Sequence, residues 1–232
     1  MSLITNLAAY YKFDENSGNS VGDSIGVNTG TWGGTLGSQW TPGKINSGGN
    51  FNGSDNNVKS NLWSNAISNI SMGGWFKSSD YTKSRQCIIS NGNGAGGGGG
   101  YAIILSGNGT TDGSLYILNH GIAWDFGSHK VQDNNWHHVM MTYDGTTILL
   151  YLDNSQIYSG GNPSFGTPVT NSYIGDDNSG SGFFKGVLDE MGFWTRALSS
   201  SEVSQLYNSG AGLQYPFSTR SNQSFLLMGV GS

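Results

Sequence analysis

The sequence is poor in cysteine, proline and charged residues. Its 232 residues include one cysteine, four prolines and only 11% charged side chains. Because Cys87 stands alone, the chain can form no internal disulfide and has no Cys-x-x-Cys pair to bind a metal. Its place in the strand-like "QCIIS" is typical of a small buried apolar residue rather than of a nucleophile.

Basic side chains are also scarce, and they are scattered. Ten lysines and arginines against fifteen acidic residues give a formal net charge of -5. Nucleic acids and anionic membranes bind clustered basic residues, so neither is an expected partner. No apolar run approaches the roughly 18 residues that span a bilayer, and the N-terminus lacks the pattern of a secretory signal. We therefore expect a chain that is assembled in a cytoplasm or is a trimmed mature domain.

Glycine and aromatic residues are abundant instead. The chain has 38 glycines, and aromatics make up 12% of it. Short runs of alternating apolar and polar residues, such as "SLYIL" and "TILLYL", recur between clusters of Gly, Asn, Ser and Asp, which is typical of an all-β sandwich. Pairs such as Asn52-Gly53 and Asp144-Gly145 tolerate the positive φ of tight hairpin turns, so most neighbouring strands are expected to be antiparallel.

One segment, residues 198–210, has a helical pattern. Ser199 is expected to cap the free backbone amides, with Glu202 reaching back to it three residues later. Leu198 and Val203 can form an apolar staple, and Gly210 suits a left-handed helix end. The sequence predicts a short helix on the outside of the sandwich.

Two adjacent histidines, His137 and His138, stand out in the strand-like "WHHVMMTY". Successive side chains of a strand point to opposite faces, so these two imidazoles cannot bind one metal from a regular strand. The return run "TILLYL" makes the hairpin apolar on both faces, as expected of a central strand pair covered on both sides. We expect the two histidines to have structural roles.

Three stretches together resemble one family. They are "LAAYYKFDENSGNSVGDSIGVNTG", "WHHVMMTYDGTTILLYLDN" and "GVLDEMGFWTRALSSSEVSQLYNSG", which occur in this order between residues 7 and 213. The chain resembles the laminin-G-like, concanavalin A-like jelly-roll family. The resemblance implies an all-β, two-sheet antiparallel jelly-roll sandwich over residues 1–213, with six or seven strands in each sheet, adjacent terminal strands and one short C-terminal helix. Residues 214–232 then form an extension.

The resemblance also implies one structural calcium ion, held by the loop after the first strand and by an acidic residue of the last strand. The matching positions are Asp14, Asp23, Asn28 and Asp189. Carboxylate and amide oxygens are the ligands that calcium prefers. The alternative is that these residues only form turns through hydrogen bonds to their own backbone.

Glycosidases of the same superfamily carry a strand with the pattern E-x-D-x-x-E, which places paired carboxylates on one face. This chain lacks the pattern, and its adjacent pairs Asp14-Glu15 and Asp189-Glu190 are expected to face opposite ways. It also lacks the G-x-S-x-G motif of serine hydrolases. We therefore expect a protein that is not an enzyme.

Sugar-binding members of the superfamily stack exposed aromatic rings on sugars. The candidates for such platforms are Trp32, Trp63, Tyr101 and Trp124, each with packing in the core as the alternative. The leading hypothesis is a non-catalytic, lectin-like adhesion protein that binds surface glycans, as a decoration or fibre protein on a phage virion surface. The first alternative is a structural virion subunit that binds protein. The second is a carbohydrate-binding module from a secreted, extracellular bacterial protein.

The extension, residues 214–232, carries the apolar patches "YPF" and "SFLLMGV" separated by a polar spacer. An apolar segment that stays solvated gains nothing to offset its ordering entropy, so we expect it to lie against another surface. The polar spacer is long enough to reach away from its own domain. We favour docking on a neighbouring subunit over docking on the chain's own sandwich.

Overall fold

The computed structural model describes residues 2–62, 69–91, 100–107, 109–119, 122–161 and 171–217. Within these ranges the chain forms sixteen β-strands, one α-helix and a following 3₁₀ turn. The strands are β1 Leu7–Tyr11, β2 Ser20–Val21, β3 Gly30–Gly33, β4 Trp40–Pro42, β5 Ser47–Asn52, β6 Asn57–Ser60, β7 Ile70–Lys77, β8 Gln86–Ser90, β9 Tyr101–Leu105, β10 Ser114–Asn119, β11 Ile122–Lys130, β12 His137–Tyr143, β13 Thr147–Leu152, β14 Ser155–Gly161, β15 Ser172–Ile174 and β16 Lys185–Trp194. The helix α1 is Ser200–Tyr207, and the 3₁₀ turn is Asn208–Gly210.

The strands form two antiparallel sheets of eight strands each. Sheet A has the order β14-β13-β12-β7-β16-β5-β4, with β1 also paired to β16, and sheet B has the order β11-β10-β9-β8-β15-β6-β3-β2. The predicted jelly-roll sandwich with one short helix is confirmed, and so is the adjacency of the first and last strands. The sheets are wider than the six or seven strands expected, because short strands such as β2 and β4 add to their edges.

The core lies between the sheets and is built from alternate residues of each strand. In β7, Ile70, Met72 and Phe76 belong to this core, so Trp75 and Lys77 point away from sheet B. We call this side of sheet A its outer face. The helix α1 covers one end of that face, where the Trp75 ring stacks on Tyr207 with centroids 5.7 Å apart.

The helix begins as the sequence predicts and ends earlier. Ser199 accepts a hydrogen bond from the Glu202 backbone N–H, and the Glu202 carboxylate accepts one from the Ser199 N–H. The helix stops at Asn208, whose φ of 47° is left-handed, rather than at Gly210. Asparagine tolerates this conformation, and its side-chain amide donates to the Gly212 carbonyl at 2.7 Å. No helix in the described residues is long and apolar enough to cross a membrane.

The start of the extension lies on its own sandwich. Tyr215 and Phe217 pack against Tyr10 and Trp194 on the outer face, with the Tyr10 and Phe217 rings edge to face at 5.1 Å. The first apolar patch therefore packs on its own domain, which is the alternative that we favoured less. The second patch lies outside the described residues, so its docking on a neighbouring subunit stays a prediction.

A bulge in β16 changes the direction of one side chain. The pairing of β16 with β7 shifts between Asp189 and Gly192, and Glu190 has a φ of 51°. Glu190 consequently lines a small cavity on the outer face, and Asp189 binds the backbone of residues 44 and 45 on that same face. The expectation that Asp189 and Glu190 face opposite ways is wrong, because the extra residue of a bulge breaks the alternation of a strand.

Candidate functional site

The two histidines occupy different environments. Both ring nitrogens of His137 meet carboxylates, Nδ1 with Asp153 at 2.7 Å and Nε2 with Asp133 at 3.1 Å. Burial alone would lower the pKa of His137, but these carboxylates raise it above its usual value. His138 is buried against Trp75, and burial lowers its pKa to about 4. These contacts fit the structural roles that we expected.

Asp23 organises the loop after β1 through backbone hydrogen bonds. Its Oδ1 accepts from the N–H groups of Tyr10 and Ile25 at 3.0 Å. Its Oδ2 accepts from those of Val27 and Asn28, at 3.3 and 2.9 Å. The Asn28 amide donates in turn to the Ala8 carbonyl. The alternative interpretation of these positions as turn-forming residues therefore has direct support.

The predicted calcium ligands Asp14 and Asp189 have hydrogen-bond partners of their own. Asp189 is fully buried, and its Oδ2 accepts from the N–H groups of Lys44 and Ile45. Asp14 meets Ser47 and Gln214, away from the contacts of Asp23. Within the described ranges, no group of three or more His, Cys, Asp or Glu side chains could hold a metal ion. The carboxylates of Asp14, Asp23 and Asp189 thus accept hydrogen bonds from N–H groups of the protein, and calcium binding stays a prediction of the resemblance.

Two of the predicted sugar platforms are core residues. Trp32 and Tyr101 are only 3% and 2% exposed, because both rings pack between the sheets. They cannot stack on a sugar from solvent, which corrects the expectation for these two positions. Trp63 lies outside the described residues. The backbone of Trp124 lies in β11, and its side chain lies outside what the structure describes.

An open polar cleft of about 430 Å³ lies on the outer face of sheet A, at the end that α1 leaves uncovered. It forms where β5 and β7 end and β16 begins. Its walls are Asn50, Phe51, Asn52, Lys77, Ser78, Ser79, Asp80, Asn134, Lys185, Gly186 and Val187. Amides, hydroxyls and amino groups thus surround a small apolar floor, and we call this feature the outer-face cleft.

Some of these polar groups have hydrogen-bond partners within the protein, and others have none among the described residues. The Asn52 side chain accepts from three backbone N–H groups of the turn 54–56, and the Ser78 hydroxyl donates to the Lys185 carbonyl at 2.8 Å. The side chains of Lys77, Ser79 and Asn134 have no hydrogen-bond partner among the described residues. These three side chains can bind a ligand without breaking an internal contact.

Asp80 is the carboxylate of the cleft wall. Its Oδ1 accepts from the Thr82 N–H, and its Oδ2 lies 3.7 Å from the Lys185 amino group. Burial alone would raise the pKa of Asp80, but Thr82 and the nearby lysines Lys185 and Lys83 hold it below its usual value. Asp80 is therefore ionised at neutral pH and orders the wall of the cleft.

Tyr81 is an exposed aromatic residue that is not among the platforms predicted from the sequence. It directly follows Asp80 and is 45% exposed. Its ring lies against Gly113, where a Cβ would come within 2.6 Å of it. In "SSDYTKS", an aromatic residue among polar neighbours and outside any alternating run was the signal that could have identified it.

The family model described as the concanavalin A-like lectin/glucanases superfamily matches residues 49–204. The chain belongs to this superfamily. The match covers β6 to β16 together with most of β5 and the first half of α1, so it includes every strand that contributes to the outer-face cleft. No curated protein matches this chain in sequence.

Solved structures share the superfamily fold. Domain 4 of AbnA, an extracellular arabinanase from Geobacillus stearothermophilus solved with arabinotriose, has a TM-score of 0.64 and 22% identity, over 89% of this chain and 98% of that one. The binding domain of Paraclostridial mosquitocidal protein 1 has a TM-score of 0.68 and 18% identity, over 90% of this chain and 53% of that one. Trypanosoma rangeli sialidase in complex with the inhibitor DANA has a TM-score of 0.65 and 14% identity, over 89% of this chain and 33% of that one. The chain thus spans about half of the toxin domain and a third of the sialidase. Enzymes and a binding domain share this fold.

The superfamily includes glucanases, and two carboxylates of this chain, Asp14 and Glu190, share one hydrogen-bond donor. Asp14 Oδ2 and Glu190 Oε1 both accept from the Gln214 side-chain amide, at 2.8 and 2.6 Å. Burial raises the pKa of Glu190 to about 7, and the nearby carboxylate of Asp14 adds to this effect. Gln214 bridges this pair, however, and the cavity beside Glu190 has a volume of about 10 Å³. That space holds one water molecule and no sugar ring.

Proposed function

We propose that this protein is a non-catalytic glycan-binding sandwich and that the sugar binds in the outer-face cleft. The observation that carries the proposal is the open cleft of about 430 Å³, whose wall presents polar side chains without internal partners among the described residues. Sites for small ligands are concave and combine apolar surface with a few polar groups that fix orientation. The cleft has this composition.

The chemistry of the cleft suits a saccharide. Sugar hydroxyls both donate and accept hydrogen bonds, and the Asn134 amide and the Ser79 hydroxyl can do the same. Val187 offers an apolar floor to the C–H groups of a sugar ring. Tyr81, the residue after Asp80, has an exposed aromatic ring outside the lining of the cleft, and we include it in the proposed site as a stacking surface. The arabinotriose complex of the arabinanase domain supports sugar binding by this fold.

The absence of catalysis is part of the proposal and rests on the carboxylates. Most glycoside hydrolases use two carboxyl groups that flank the bond, one of them protonated. Among the described residues that line the cleft, Asp80 is the single carboxylate, and its pKa lies below its usual value. An ionised carboxylate held by Lys185 and Thr82 cannot serve as the acid.

The biological setting proposed from the sequence is a virion surface, with a secreted, extracellular protein as the alternative. The glycan would then be a surface glycan to which the particle attaches. A structural virion subunit that binds protein is the second candidate function, favoured by the apolar patch in the second half of the extension. Glycan binding by the purified chain separates these candidates.

The test is a glycan array followed by calorimetric titration of the bound glycans. The informative variant is Asn134→Gly, because Asn134 has a φ of 67° that glycine also adopts. Its matched control is Asn61→Gly, which removes an exposed amide outside the cleft. We expect weaker binding for the first variant only, with no release of reducing ends. Reducing-end release would overturn the non-catalytic half, and an array without binding would favour the protein-binding subunit.

A further inference from the structure

We infer that the outer-face cleft recognises a glycan through a negatively charged substituent, a carboxylate or a sulfate ester, which binds the amino group of Lys77. The inference rests on the proposed function, because it specifies the class of glycan that the same cleft would take. It follows from the position of two lysines, from the charge around them and from the lack of a partner for Lys77 among the described residues.

The register of the strands places both lysines on the outer face. Val187 of β16 pairs with Lys77 of β7 on one side and with Asn50 of β5 on the other. Lys185 lies two residues before Val187 and therefore points to the same face. The two amino groups thus stand on neighbouring strands around one apolar floor, which Val187 forms.

The lining of the cleft has one more lysine than carboxylate, in a chain that is negative as a whole. Two of the seven lysines, Lys77 and Lys185, line the cleft with one carboxylate, Asp80, although the formal net charge of the chain is -5. The carboxylate in the wall is Asp80, whose oxygens already meet Thr82 and Lys185. Lys83 contacts the Gly53 carbonyl at the cleft edge. Because Lys185 faces Asp80, a negatively charged ligand would meet one cation of the lining that has no counter-charge among the described residues, Lys77.

Lys77 is the lysine that is available to such a ligand. It is half-buried at the cleft wall and has no ion pair or hydrogen bond among the described residues. An ammonium group has three donors and no acceptor, and its hydrogen bonds to an anion are stronger than those to a neutral hydroxyl. A neutral sugar would leave this charge paired with water alone, so the cleft favours the acidic form of a glycan.

The experiment compares acidic glycans with neutral counterparts of the same sugar backbone, using the 232-residue chain. The pairs are polygalacturonate with fully methyl-esterified pectin, sialyllactose with its methyl ester, and dextran sulfate with dextran. The variant is Lys77→Gln, and the matched control is Lys59→Gln, which removes the same charge from the exposed side of β6 in sheet B. Affinities are measured at low salt and at 0.15 M salt, because exposed charges are screened over about 8 Å at the higher value.

We expect at least one acidic ligand to bind more tightly than its neutral partner, by about tenfold or more. Lys77→Gln should remove this preference, while Lys59→Gln keeps it. The pair that responds distinguishes a carboxylate from a sulfate ester. Equal binding of acidic and neutral partners, or equal losses in both variants, would overturn the inference but leave sugar binding in the cleft intact. Binding of no glycan would overturn the proposed function as well.

Discussion

Arg196 and Glu202 form a two-bond ion pair that joins the last strand to the helix. Arg196 Nη2 donates to Glu202 Oε1 at 2.7 Å and Nη1 to Oε2 at 2.8 Å, with both side chains at most 10% exposed. The guanidinium also donates to the backbone carbonyls of Ser2 and Thr5. The motif W-x-R-A-L-S-x-x-E thus connects the N-terminal segment, β16 and α1.

Glu202→Gln should lower the free energy of unfolding by about 3–5 kcal/mol, because it leaves a buried guanidinium without its counter-charge. Burial alone would raise the pKa of Glu202, but Arg196 and Ser199 hold it at about 2, below the unfolded value of about 4.3. This stability is therefore present above about pH 4.3 and is lost as the pH falls toward 2. Denaturant unfolding between pH 7 and 3 measures it.

A double variant provides the control for this pair. Arg196→Met with Glu202→Leu should cost less than either single change, because no buried charge remains unpaired. Additive losses in the double variant would contradict this explanation.

The two histidines should give opposite dependences of stability on pH. The folded pKa of His138, about 4, lies below the unfolded value of about 6.5, so the unfolded chain binds protons first and stability falls as the pH drops from 6.5 to 4. The folded pKa of His137 is raised, so its contribution is present below about pH 6.5 and is lost as the pH rises through the folded value.

The variants His138→Phe and His137→Gln separate these effects. His138→Phe should remove the loss of stability on the acidic side, and His137→Gln should remove the loss of stability on the alkaline side. Melting temperatures of both variants and the parent, measured from pH 4 to 9, test this assignment. Parallel curves for all three proteins would contradict it.

Tyr81→Ala should weaken glycan binding by about 2- to 12-fold, which corresponds to the about 0.5–1.5 kcal/mol of an aromatic ring contact. Tyr81→Phe retains the ring and should bind as the parent does. Calorimetric titration with the glycan found on the array measures both affinities. If Tyr81→Ala binds as tightly as the parent, the ring does not contribute to the site.

Asp23→Ala should destabilise the fold by about 2–3 kcal/mol, because four backbone N–H groups lose a charged acceptor. The loss should be the same in chelator and in millimolar calcium, since those N–H groups already occupy the Asp23 oxygens. Melting in both buffers provides the measurement. A calcium-dependent rise in melting temperature that disappears in Asp23→Ala and Asp189→Ala would contradict this and support the calcium site implied by the resemblance.

Truncation should divide the extension into two parts. Removal of residues 214–232 should lower the unfolding free energy of the monomer by about 1.5–3 kcal/mol, because Tyr215 and Phe217 leave Tyr10 and Trp194. Removal of residues 218–232 should leave the melting of the monomer unchanged and abolish assembly. Normal assembly of the shorter truncation would contradict docking of the second apolar patch on a neighbour.

Local patterns in the sequence were sufficient for the strands, the helix start and the family. Alternation with a period of two specifies which residues of a strand share a face, and the Ser199–Glu202 capping pair lies within one helical turn. The helix end was less predictable, because Asn208 and Gly210 both suit a left-handed residue and only the hydrogen bond to Gly212 favours the first.

Only the tertiary structure determines which residues form the cleft and which aromatic rings are exposed. Trp32 and Tyr81 are both aromatic residues near turns, and the packing of the two sheets determines that the first is buried and the second exposed. The bulge at Glu190 depends on how β16 pairs with β7, and the cleft depends on the meeting of Lys77 with Val187, which are far apart in the chain. Local alternation cannot specify such contacts, because they depend on long-range strand register and on which faces the other layers cover.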